Sequence, residues 1–185
     1  MAASVEKTYS EALFSLVAEE SGEKSSAVTD MLSELEAVEK IFAEVPEFLL
    51  VMDTPVVSAE EKGRLIDEAF SGKISGILLN FLKVLSERHR IGSFGRIVRE
   101  FRTRYNEVFG IIELTVTTVV PLSVDLRDKI RDKMEKLTQK KILFKEKTDP
   151  SLIGGIVLDY GSTRLDGSVK TRLEALKNDI AGIIA

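Results

Sequence analysis

At Gly110 the hydrophobic period of this chain changes, and that change commits it to two differently built halves. Before Gly110, apolar residues recur about every 3.6 positions, the repeat that lines one face of a helix. After it, Ile112, Leu114, Val116, Thr118 and Val120 alternate with Glu113, Thr115, Thr117 and Val119. That β-branched, two-residue repeat is a strand signal. The expected fold class is therefore α+β in two domains, with the boundary near residues 106–112: a helical bundle over 1–108 and a small α/β domain over 109–185.

Six short helices are expected in the first part. Val5, Tyr9, Ala12, Leu13, Leu16 and Val17 mark the first, closed by Gly22. Val28, Met31, Leu32, Leu35, Val38 and Phe42 mark the second, with a strongly acidic opposite face. Pro46 can open a third through Phe48, Leu49 and Val51, because its missing N–H costs nothing in a first turn. Ser58 and Glu61 form a capping box ahead of Leu65, Ile66 and Ala69. Ile77, Leu78, Phe81, Leu82 and Leu85 make the most apolar helix, which Gly92 is placed to close. Phe94, Ile97, Val98, Phe101, Tyr105 and Val108 make the sixth.

In the second part Pro121 ends the first strand. Ser123 and Asp125 then cap a charged helix carrying Leu126, Ile130, Met134 and Leu137. Ile142 to Lys147 and Gly155 to Tyr160 read as two more strands, and Gly161-Ser162 turns into a short return through Leu165. Ser168 caps a last helix with Val169, Leu173, Leu176 and Ile180 on one face.

Residue inventory argues against an enzyme. The 185 residues contain no cysteine and one histidine, His89, which removes thiolate chemistry and multi-histidine metal centres. The only Gly-Lys pair, Gly72-Lys73, has Asp67 where a phosphate-cradling loop needs its first glycine. Ser168 has no histidine in its own half to act as its base and reads as a helix cap, while His89 reads as a solvated residue near a helix end. No catalytic residue, metal or cofactor is expected. No apolar run approaches the roughly 18 residues of a membrane span. The early Glu6 and the lack of an apolar core flanked by bases do not fit a secretory signal.

Charge is unevenly spread. Residues 1–70 hold sixteen acids and five bases, whereas residues 71–110 hold three acids and eight bases. Such asymmetry favours oriented docking to charged partners. Lys83, Arg88, Arg90, Arg96, Arg99, Arg102 and Arg104 admit three readings: a solvated helix face, a protein-docking patch, or a nucleic-acid adaptor using segment 83–104. Glu100 and Glu107 interrupt the basic field, and no aromatic platform accompanies it.

Gly154-Gly155 lies inside an apolar run, where glycine weakens a strand unless the backbone bends or another backbone approaches closely. Either a bulge at a sheet corner or a strand with a close neighbour, in this chain or another, would explain the pair.

At these residues the chain resembles the delta subunit of F-type ATP synthases, whose mitochondrial relative is the oligomycin-sensitivity-conferring protein. The family pattern is a polar or acidic residue, an aliphatic, a glycine-containing pair, a hydrophobic strand and a glycine turn. Here it is Asp149-Pro150-Ser151-Leu152-Ile153-Gly154-Gly155-Ile156-Val157-Leu158-Asp159-Tyr160-Gly161, followed by Asp166-Gly167-Ser168-Val169 and Leu173. Tyr9-Ser10-Glu11-Ala12-Leu13-Phe14 is similar to the family's first helix, departing at Ser10, where alanine is usual. Pro55 with Glu61-Lys62 fits an Asn-Pro…Glu-Lys pattern, with Thr54 in place of Asn, and Asn80 to Leu85 leading to Arg90 also fits.

The resemblance implies a non-catalytic stator subunit that ties the catalytic head to the peripheral stalk. It implies that a groove on the first and fifth helices receives the N-terminal segment of an α subunit. The candidates are Tyr9, Ala12, Leu13 and Leu16 with Phe81, Val84 and Leu85; some of these must face the core instead. It also implies that the second domain engages the C-terminal ends of b-type stalk subunits, with Gly155, Val157, Leu158, Leu173 and Leu176 as candidates. The expected location is the cytoplasmic face of a bacterial inner membrane, peripheral, with no nucleic acid bound.

Overall fold

The computed structural model describes residues 4–54 and 56–184, with side chains through residue 177. Pro55 therefore lies outside the described residues, as does the side chain of Ile180. The fold is α+β, and the chain divides into two compact units, Met1–Phe109 and Gly110–Ala185.

The first unit holds α1 (Val5–Ser21), α2 (Ser26–Glu44), α3 (Pro46–Asp53), α4 (Ala59–Phe70), α5 (Gly76–Glu87) and α6 (Phe94–Phe109). Serine caps set the starts of several. Ser4, Ser58 and Ser75 each accept a backbone N–H three residues on, and Glu61 completes the box at α4. The α2 stripe Val28, Met31, Leu35, Val38 and Phe42 is buried. Phe42 anchors the centre, with ring centroids 5.1 Å from Phe94, 5.6 Å from Phe48 and 6.0 Å from Phe70.

Three local details differ from the sequence reading. Helix α5 stops at Glu87, not at Gly92. His89 takes the left-handed position (φ 51°) and Arg90 N–H bonds back to the Leu85 carbonyl, so the helix closes three residues early. On α4 the buried line is Lys62, Ile66 and Phe70, while Leu65 is exposed. On α3 the core residue is Met52, with Val51 exposed.

The second unit holds β1 (Ile111–Thr118), α7 (Val124–Thr138), β2 (Lys141–Thr148), β3 (Ile156–Tyr160), β4 (Thr163–Asp166) and α8 (Val169–Ile184). The sheet order is β2-β1-β3-β4. β1 and β2 are parallel, joined through α7, as a parallel pair needs a crossover. β3 pairs antiparallel with β1 and with β4. β1 ends at Thr118 rather than reaching Val120, and the Thr118 hydroxyl donates to the Val120 carbonyl across the bend.

Register gives this sheet two unlike faces. Val116 stands beside Leu158, and Leu158 beside Leu165, on one face; Leu114, Phe144 and Tyr160 share it. The opposite face carries Thr115, Lys145, Asp159 and Arg164, with ion pairs Lys145–Glu113 at 2.7 Å and Arg164–Asp159 at 3.8 Å. Helix α7 packs on the apolar face, where Met134 joins Leu114, Val116 and Ile142 in a small core.

Candidate functional site: two apolar docking surfaces

On α1, Val5, Tyr9, Ala12 and Leu16 follow one another at spacings of four, three and four, which places them in a line along one side. Val5 and Leu16 are 43% and 47% exposed, and Ala12 is exposed as well. On α5, Ile77, Phe81 and Val84 repeat the same spacing, and Val84 is 44% exposed. The two lines meet where Tyr9 packs edge-on against Phe81, with centroids 6.3 Å apart. Leu13 and Leu85 do not belong to this surface. They are core residues beneath it, because each sits one position around the helix from the exposed line. The α5 line is held in place from α2: the Glu34 carboxylate accepts both the N–H and the hydroxyl of Ser75 at the helix start.

Several acids and bases of this unit pair with each other. Lys83 pairs with Asp67, Arg96 with Glu6, Arg102 with Glu36 and Glu39, and Arg104 with Glu23 and Glu107. The uneven charge along the sequence thus resolves into pairing between helices. Four of the seven basic residues named in 83–104 are engaged in this way, and the nucleic-acid reading finds no support.

The second surface is one that the candidate residues only touched. Four strands about 4.8 Å apart make a face about 15 Å wide, and one helix about 10 Å across cannot cover it. Helix α7 covers the β2–β1 side. What remains over β3 and β4 is an apolar groove of about 850 Å³. Its sheet wall is Ile156, Leu158 and Leu165; its helix wall is Leu126, Ile130, Met134 and Leu137; residues Thr118–Ser123 close one end. Leu126, Leu137 and Leu165 are 46%, 71% and 50% exposed, so the groove is open. Among the described residues, Lys133 is the one charged residue lining it. The end loop is pinned by Glu146, which accepts the Leu122 N–H at 2.6 Å and the Arg127 guanidinium. Those two donors, the backbone amide first, hold the Glu146 carboxyl below the usual range.

Of the stalk-side candidates, Gly155 and Leu158 line the groove. Val157 does not: the strand repeat turns it to the opposite face, where it is buried beside Thr117 and Asp166. Leu173 and Leu176 are exposed on α8 and lie outside the groove lining. The Gly154-Gly155 question has an internal answer. Gly155 has φ +86°, and a Cβ there would lie 2.4 Å from the Gly167 carbonyl oxygen and 2.9 Å from Ser168 Cα. The close neighbour is the chain's own Asp-Gly-Ser turn, tied on by Gly167 N–H to Ile156 O and Val169 N–H to Gly154 O. Ser168 is buried and caps α8 through Thr171 N–H, while Asp166 accepts from Ser168 N–H and from the Thr171 hydroxyl. The most recognisable motif in the sequence is thus a structural junction.

A model of the family described as ATP synthase delta (OSCP) subunit matches residues 5–180. The chain belongs to this family. Curated relatives agree: it is 34% identical to ATP synthase subunit delta of Carboxydothermus hydrogenoformans, over 96% of this chain and 97% of that protein. It is 33% identical to ATP synthase subunit delta of Clostridium kluyveri, over 94% and 93% of the two chains. The fold is similar to a chain in the cryo-EM structure of the Toxoplasma gondii mitochondrial ATP synthase hexamer (TM-score 0.71, 23% identity), covering 97% of this chain and 98% of that one. As a member of the delta family, the chain is a non-catalytic stator component of the peripheral stalk of F-type ATP synthase. It is peripheral to that membrane-bound complex, and no helix among the described residues is long and apolar enough to cross a membrane.

Proposed function

We propose that each unit carries one stator contact. The helical bundle (1–108) receives the amphipathic N-terminal segment of an α subunit along the α1 and α5 lines. The α/β domain (109–185) receives the C-terminal end of a b-type stalk subunit as a helix in the groove beside α7. The assembly sits at the cytoplasmic face of a bacterial inner membrane. The observation that carries this reading is the pair of exposed apolar surfaces, one in each unit, left over after each core is assembled. Both suit a helix laid into a groove by anchors at i, i+3/i+4 and i+7.

The mechanical logic is simple. Rotation drives synthesis only while the catalytic head is kept from turning with the rotor, so the connector must hold at both ends. Desolvated apolar anchors suit that load better than exposed ion pairs, which are worth about 0–1 kcal/mol. In the groove, Lys133 selects a helix that places a carboxylate opposite it.

Isothermal calorimetry with synthetic segments tests each end of the intact chain separately. Ala12→Arg should abolish binding of the α-subunit segment while leaving the helical circular dichroism intact, because Ala12 is exposed. Loss of the helical signal would instead place Ala12 in the core. Leu137→Asp and Leu165→Asp should abolish binding of the stalk segment and spare the α segment. Unchanged stalk binding in both variants would move that contact off the groove.

A further inference from the structure

The groove of the α/β unit has a definite length and a dead end. Its helix wall runs from Leu126, next to the end loop, to Leu137, eleven positions along α7. At 1.5 Å per residue that is about 16 Å, or about three helical turns. A helix about 10 Å across and about 16 Å long occupies about 1,250 Å³. A groove of about 850 Å³ seats about two-thirds of it, as an open trough should. The dead end is firm. The Thr118 hydroxyl donates to the Val120 carbonyl at 2.7 Å, and Asp149 N–H donates to the Thr118 carbonyl at 2.8 Å. Leu122 N–H donates to Glu146 at 2.6 Å, and Pro121, whose ring fixes its φ, stands between these tied residues. A loop held in this way does not swing aside for a longer occupant.

Charge along the trough marks a position. Lys133 is exposed and lies seven positions from Leu126, about 10 Å along the wall. A lysine stem lies along apolar surface while its ammonium stays in water, which sets the charge at the rim, where it meets the flank of a seated helix. A C-terminal helix of a long stalk must leave the groove with its upstream part. The end loop blocks one way out, so that part leaves past Leu137 and the helix runs antiparallel to α7. We propose, resting on the stalk reading above, that the groove is a blind socket for the last three turns or so of a C-terminal amphipathic helix. Lys133 sets its register by meeting a carboxylate about two turns, or seven residues, before the helix end.

The test is isothermal calorimetry on the intact chain with designed amphipathic peptides of about 22 residues, long enough to hold a helix. All are amidated at the C-terminus, so that only length and register change. The parent peptide carries leucines along one face of its last three turns and one glutamate seven residues before its end. Four glutamines added after the last residue should weaken binding about tenfold or more, because the helix must slide out by a turn and lose an apolar anchor. The same four added before the first residue should leave binding unchanged. Moving the glutamate seven residues upstream, on the same face but past Leu137, should weaken binding about threefold. Lys133→Met, a change at an exposed position, should erase that difference. Equal affinity for the parent and the C-terminally extended peptide would overturn the blind socket. A glutamate preference that survives in Lys133→Met would overturn the register. In both cases binding that is still abolished by Leu137→Asp leaves the stalk reading standing. If neither the parent peptide nor the stalk segment binds, or if Leu137→Asp changes nothing, the groove is not a helix site and the socket falls with it.

Discussion

The helical unit finishes its core; the α/β unit does not. In the bundle, Phe42, Phe48, Phe70 and Phe94 interlock and Leu35, Ile66, Leu78 and Leu82 are completely buried. What it offers a partner is a surface remainder, the Tyr9–Phe81 line lying over a closed interior. In the α/β unit, Leu114, Val116, Met134 and Ile142 form a buried cluster, and among the described residues part of one sheet face is open beside it. The lesson is that two routes to an exposed apolar surface coexist in one chain. One adds apolar residues outside a complete core, and the other, among the described residues, leaves part of a four-stranded face without a helix over it.

That contrast can be broken most sharply at adjacent residues on α5. Leu85 is fully buried and Val84 is 44% exposed. Leu85→Ala should cost about 3 kcal/mol in denaturant unfolding, through lost transfer energy and the cavity left behind. Val84→Ala should cost less than about 0.5 kcal/mol yet weaken the α-subunit segment. Comparable destabilisation by both would mean that the stripe is core after all.

A somewhat smaller effect is expected at the glycine pair. Gly155→Ala puts a methyl against the Gly167 carbonyl at a left-handed backbone, and backbone on both sides leaves nothing flexible to give way. Destabilisation of the α/β unit by about 2–3 kcal/mol should follow. Gly154→Ala meets only the Val169 side chain, at 3.1 Å, and should cost less than about 1 kcal/mol. Thermal unfolding of the two variants checks the difference, with stalk-segment affinity falling in the first.

Local rules carried far in this sequence. The capping box at Ser58, the α2 stripe and the β1 alternation each appear in the structure, because cap chemistry and side-chain period are decided within a few residues. Three features were beyond that range. The end of α5 was missed because a histidine, not a glycine, occupies the left-handed position. The sorting of Leu13 from Ala12 and of Leu85 from Val84 stays open in the sequence because period fixes a face only to within one residue. The groove was missed because it depends on strand order: Leu126 and Leu137 looked like ordinary core positions until β3 and β4 fell on the uncovered side of α7. Counting four strands against the single helix between them would have pointed to it.

Acid should separate the two units, and more gently than the substitutions. In the α/β unit, three carboxylates with lowered pKa hold loops. Glu146 is stabilised by the Leu122 N–H and then Arg127, Asp149 by the Ser151 hydroxyl and N–H, and Asp166 by the Ser168 N–H and hydroxyl and by Thr171. In the bundle the corresponding groups are Glu6 and Glu61, both in first turns of helices, where a frayed end leaves the core intact. A carboxyl whose folded pKa is depressed contributes stability that is fully present above its unfolded pKa. That contribution is lost as pH falls through the folded value. The relevant window therefore begins near the ordinary values of 4.5 for Glu and 3.8 for Asp and extends below them. On acidification from neutral pH, the α/β unit should loosen before the bundle, starting with the Glu146-pinned loop at the end of the groove. Hydrogen exchange followed from neutral pH down to about pH 3, corrected for the intrinsic pH dependence of exchange, should show protection falling first at Leu122. Glu146→Gln should lose the stabilisation of that loop already at neutral pH and flatten the acid response there. If Leu122 protection in Glu146→Gln still follows pH as in the parent chain, the carboxylate does not hold the groove end, and the contrast between the units rests on packing alone.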